Sequence, residues 1–67
     1  MARFYFNLQG TVNVDDPIGL SFENELQAFR AAQTLAKDLA ISRPALRGTT
    51  CVVVTRTDRG EAYYISV

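Results

Sequence analysis

The side chains best suited to chemistry fall into two groups of opposite sign. Asp15, Asp16, Glu23 and Glu25 form an acidic stretch without a base, while Arg43, Arg47, Arg56 and Arg59 lie in the second half of the chain. The carboxylates would suit a hard cation, since magnesium and calcium take oxygen ligands. Their spacing matches no EF-hand loop, and turn formation and the helix dipole account for all four, so no metal site is expected. The arginines, with Thr49 and Thr50 nearby, could hold phosphate or nucleic acid. A net charge of zero and the lack of a recognised motif make solvated loops the plainer reading and nucleic acid the alternative one.

Other chemistry is excluded by composition. The chain has no histidine, so Ser-His and Cys-His pairs, a base titrating near neutral pH and histidine-built zinc sites are all absent. Cys51 would need a cationic neighbour or a helix start to become a nucleophile, and its valine-rich surroundings promise neither. It reads as a small hydrophobe. A single cysteine also makes the reducing cytoplasm the expected compartment. No catalytic residue and no cofactor is expected. No basic segment followed by an apolar run opens the chain, so neither a signal peptide nor a membrane span is expected.

The elements that must position these residues are few. Sixty-seven residues make one domain, 1–67, and a chain of this size buries only about 60% of its unfolded surface. From Asn24 to Ile41 the pattern is that of an amphipathic helix, with Ala28, Phe29, Ala32, Leu35, Ala36, Leu39 and Ala40 on one half of the wheel. Asn24 suits the N-cap, with Gln27 able to return a bond to its backbone. The Ser42-Arg43-Pro44 sequence ends the helix near Ile41. Phe29, Leu35 and Leu39 are expected to supply most of its buried area, because alanine carries little.

Short strands flank the helix. In Arg3-Phe4-Tyr5-Phe6-Asn7-Leu8, alternation sends Phe4, Phe6 and Leu8 to one face. A turn at Gln9-Gly10 leads to a second strand, Thr11-Val12-Asn13-Val14, with Leu8 opposite Val12 and Phe6 opposite Val14; that parity demands an odd-length loop or a bulge. Asp15 to Gly19 is a loop, and Leu20 and Phe22 tuck under the helix start. After a basic connection from Pro44 to Gly48, Thr50 to Thr55 is the strongest strand signal, and Ala62 to Val67 returns beside it through a three-residue loop at Asp58-Arg59-Gly60.

That loop sets a pairing in which Val54 opposes Tyr64, and Thr55, Val53 and Cys51 oppose Tyr63, Ile65 and Val67. Both faces of the hairpin are then apolar, and one helix covers only one of them. Tyr5, Cys51, Val53, Tyr63, Ile65 and Val67 would form an outward apolar patch, the expected interface of a homodimer, which buries that sheet face or joins sheet edges, or of another protein partner.

The order strand-strand-helix-strand-strand, with Arg3-Phe4-Tyr5-Phe6-Asn7-Leu8, the Asp15-Asp16 loop leading to Gly19, the alanine-rich helix and Val52-Val53-Val54-Thr55 followed by Asp58 and Gly60, resembles a family of short bacterial proteins classed as a domain of unknown function. The resemblance implies an α+β fold, ββαββ, with a four-stranded antiparallel sheet and one amphipathic helix on one face; it implies no activity. Asn7 stands where that family often has histidine, and Cys51, Val53 and Ile65 stand where it is more polar. The layout also resembles antitoxins of the HicB type, without their glycine-rich second strand. The expectation is a small non-enzymatic interaction or oligomerisation module, the alternative an antitoxin-like regulator using Arg43, Arg47, Arg56 and Arg59.

Overall fold

The computed structural model describes residues 2–56 and 61–67. The chain runs β1 (Ala2–Gly10), β2 (Leu20–Phe22), α1 (Glu25–Ser42), a 3-10 turn (Pro44–Leu46), β3 (Thr50–Arg56) and β4 (Glu61–Ser66). The strands form one antiparallel sheet in the order β2-β1-β3-β4, with α1 on one face. The α+β, ββαββ expectation therefore holds.

Strand alternation decides which residues meet the helix. Phe4, Phe6 and Leu8 face it from β1, and Val52 and Val54 face it from β3, in pairs Phe6↔Val54 and Leu8↔Val52. Phe22 comes in from β2, edge-on to Phe4 and stacked on Phe6 at ring separations of 6.0 and 5.9 Å. The helix answers with Ala28, Ala32 and Ala36, all buried, at the i, i+4, i+8 spacing that lines one stripe. Three small side chains let the helix axis come close to the sheet, so the bulk in this core belongs to the strands.

The helix ends are built much as the sequence indicates. Asn24 Oδ1 accepts the Gln27 N–H at 2.9 Å, while Gln27 Oε1 reaches one residue further back than a capping box and accepts the Glu23 N–H at 3.2 Å. At the other end the Arg43 N–H closes on the Leu39 carbonyl, and Pro44 opens the 3-10 turn. That turn buries Leu46 under the helix C-terminus. The Pro44 to Gly48 segment is thus partly a core element, which its basic composition hides.

Three expectations need correction. First, Phe29 is 38% exposed, at the margin of the helix face rather than its centre; the alanines, by bulk alone, looked secondary. Second, the strand beside the start of β1 is Leu20–Phe22, not Thr11–Val14. Val14 makes only an isolated bridge with Leu8, closing the five residues 9–13 in an odd-length loop of the parity the alternation demanded. Gly10, at φ +144°, is required there, because a Cβ would run into the Thr49 carbonyl. Third, the β3–β4 register is Val52↔Ile65, Val53↔Tyr64 and Val54↔Tyr63, one residue from the expected one. The turn proposed at Asp58-Arg59-Gly60 lies outside the described residues.

Replacing Phe4, 1% exposed, with alanine should destabilise the domain by about 3–5 kcal/mol, whereas Phe29→Ala should cost clearly less. Urea denaturation of the two variants checks this ranking, and a larger loss at Phe29 would contradict the alanine-centred core.

Candidate functional site

A one-residue change in register exchanges the faces of a strand. Tyr63, Ile65 and Val67 therefore turn toward α1 and pack against the core. The outward patch expected from Tyr5, Cys51, Val53, Tyr63, Ile65 and Val67 is split, and only the first three lie on the face away from the helix. Their neighbours there are Asn7 and Tyr64 beside Val53, Thr55 and Ala62 in line with Tyr5, and Gln9 and Ser66 in line with Cys51. That face is mixed rather than greasy. Val53 is only 7% exposed, at the floor of a shallow depression of about 240 Å³ rimmed by Asn7, Asn13, Asp15, Thr55 and Tyr64.

The rim exists because the loop before β2 is tied to β1. Asp16 is the knot: Oδ2 accepts the Phe6 N–H at 3.2 Å, and Oδ1 accepts the Ile18 and Gly19 N–H groups at 3.0 Å each. Asn7 Oδ1 takes the Asp16 N–H at 2.8 Å, and Arg3 donates to the Ile18 carbonyl at 2.8 Å. The Phe6 donor would otherwise point from the sheet edge without a strand beside it, so a carboxylate here replaces a missing strand partner. Those bonds, the one from Gly19 foremost, hold the Asp16 carboxyl below its ordinary value. Asp16 is thus committed to architecture, as is Gly19, whose missing Cβ would meet the Phe4 carbonyl at 2.8 Å.

On the helix side Glu25 joins α1 to the far end of β3. Its carboxylate receives Arg56 at 3.2 Å and the Tyr63 hydroxyl at 2.7 Å, and the Arg56 guanidinium lies 5.4 Å from the centre of the Phe4 ring. The Arg56 side chain is only 15% exposed. It is a structural ion pair, which removes it from the proposed nucleic-acid surface. Arg43 and Arg47 are exposed at the opposite end of the molecule, roughly 20 Å away along β3 at ~3.3 Å per residue, and Arg59 lies outside the described residues. The described arginines do not converge. Neither do the acidic residues: among the described residues no cluster of three metal-ligating side chains occurs.

Among the described residues nothing pairs with the outer side of β4, at the end of the sheet. The Val67 N–H donates to the Thr50 carbonyl at 3.0 Å, which fixes the parity of the ladder. Odd-numbered residues of β4 address β3, and Ala62, Tyr64 and Ser66 direct their N–H and C=O groups away from the sheet. All three are exposed, Tyr64 by 65%. Against this edge, on the helix side, Leu26, Phe29, Tyr63 and Glu25 line a second depression of about 260 Å³.

Residues 3–66 match a family described as a domain of unknown function, DUF6894. The chain belongs to that family. No curated protein and no solved structure matches it. In this DUF6894 domain the match spans every strand, the helix and the Asp16 loop, so the family is defined over the whole fold. The sequence allowed an interface at a sheet edge but did not single out β4, since strand order and the outward direction of a backbone group are not written in side-chain type. Asp16 was the more accessible signal, because an aspartate three residues before glycine is a common loop organiser.

A carboxyl held below its ordinary value stabilises the fold above that value, and the contribution is lost as pH falls through the lower folded value. Asp16→Asn presents an amide donor where N–H groups converge, so it should lower the melting temperature near neutral pH. The gap to the unaltered protein should close as pH falls below the ordinary aspartate value of 3.8. Melting curves that stay parallel down to that acid range would contradict the role given to the carboxylate.

Proposed function

We propose that this domain is a non-enzymatic interaction module, working in the cytoplasm, whose binding element is the open side of β4. The observation that carries this reading is the row of outward N–H and C=O groups at Ala62, Tyr64 and Ser66. Exposed edge strands are templates for pairing with another chain, and proteins that must avoid such pairing shorten the edge or guard it with lysine, proline or a bulge. From Ala62 to Ser66, β4 carries no charge, no proline and no bulge. The other edge is different: β2 has three residues, and the loop before it satisfies the Phe6 donor internally.

An added strand would gain affinity from backbone pairing and specificity from alternate side chains. Tyr64 would meet its side chains on one face, and Tyr63 with Leu26 and Phe29 would meet them on the other. The separation of Arg56 from Arg43 and Arg47 argues against a nucleic-acid regulator.

Amide hydrogen exchange on the purified protein, alone and in complex, tests the reading. The Tyr64 and Ser66 amides should exchange freely when β4 is open and slow by an order of magnitude or more when it is occupied. Tyr64→Pro, which deletes an outward donor and spares the ladder to β3, should abolish the association. A complex that leaves these amides fast, or survives Tyr64→Pro in a folded protein, would overturn it.

A further inference from the structure

Resting on the edge-strand reading, we infer that the occupant of β4 is a second copy of this chain, paired antiparallel about a two-fold axis at Tyr64. The outward groups of β4 are symmetric about this residue. Placing Tyr64 opposite Tyr64 of the second copy, and Ala62 opposite Ser66 of the second copy, uses every outward donor and acceptor between Ala62 and Ser66 in about six hydrogen bonds. Among Ala62, Tyr64 and Ser66, no shift from this register pairs as many. Between Ala62 and Ser66 it brings no like charges together, since these residues are uncharged.

The helix side is self-complementary in the same operation. A two-fold axis normal to the sheet keeps both helices on one face, and the Leu26 and Phe29 side of each helix overhangs its own β4 at Tyr63. Tyr63 of one copy then stands opposite Ile65 of the other, next to the axis. The two apolar shelves meet across it, which covers Leu26 and Phe29, 56% and 38% exposed in the single chain. Size also calls for the shelf. A stable interface takes about 800 Å² from each partner, close to a fifth of the 4401 Å² this domain exposes, more than one strand edge supplies.

Site-directed cross-linking in a Cys51→Ser background tests both occupant and register. The two-fold pairing sets Tyr64 about 5.5 Å, Cα to Cα, from its own counterpart, within disulfide range. Tyr64→Cys should therefore give a covalent dimer on mild oxidation. Ala62→Cys alone should not, because roughly 14 Å would separate the two copies of that residue, yet it should cross-link to Ser66→Cys when the two variants are mixed. Sedimentation at micromolar concentration should find a dimer, and Tyr64→Pro, which removes the donor at the axis and leaves the ladder to β3 intact, should make it a monomer. A monomeric unaltered protein, or equal cross-linking at all three positions, would overturn the inference. If the protein is monomeric but its Tyr64 amide slows with another partner, the edge-strand reading stands without the dimer; if no complex slows that amide, both fall.

Discussion

The closeness of α1 to the sheet is the constraint on which the rest of this domain depends. Ala28, Ala32 and Ala36 face Phe4, Val52 and Val54, and the small side chains on the helix are what allow the strand residues to be large. A core arranged this way is thin, and nearly all its bulk sits on the two central strands. The helix backbone comes closest to β3, with β4 and β2 also near it, while the large side chains of β1 reach up to it. Phe22 fills the gap on one side by packing on Phe4 and Phe6. On the other side Tyr63 reaches Glu25 with its hydroxyl, and Leu26 and Phe29 remain half in water.

The chain handles its two sheet edges by different means. Beside β1, where β2 is too short to pair throughout, Asp16 turns a carboxylate into an acceptor for the Phe6 N–H and is itself held by Asn7. This is a local solution: a side chain stands in for a strand, and the loop it organises also rims the depression over Val53. Beside β4 no such substitute is present among the described residues. The two edges differ in chemistry because one is completed by the chain's own loop and the other meets solvent.

How much of this could be read from residue order follows the range of the interactions. The helix, its Asn24 cap, its stop before Pro44 and the core side of β1 depend on neighbours within a few residues, and all were legible. The β3–β4 register was not: Arg56 stands opposite Glu61, one residue from the expected alignment, and this puts Tyr63 rather than Tyr64 on the core side and dissolves the outward patch. Phe29 was misplaced for a related reason. Wheel position placed it on the apolar half, but which part of that half touches the sheet is decided by alanines that individually bury little area. An edge interface was conceivable, but which edge stays open was not legible, as strand order and backbone direction leave no trace in side-chain type.

Magnitudes explain why edge and shelf act together in the proposed pairing. An edge exposed to water is already hydrogen-bonded to it, so each new strand bond gains only about 0.5–1.5 kcal/mol net. About six such bonds give no more than ~9 kcal/mol, while association costs an estimated 4–15 kcal/mol in lost freedom before side chains are ordered. Backbone pairing by itself would then be marginal. Burial of apolar surface, at about 25 cal/mol per Å², supplies what is missing only if it lies within reach of the same edge. The mixed outer face, with Asn7, Gln9, Thr55 and Ser66 among its members, offers little of it; Leu26, Phe29 and Tyr63 do. The register that turned Tyr63 toward the helix thereby moved the domain's usable apolar surface from the open face of the sheet to its rim.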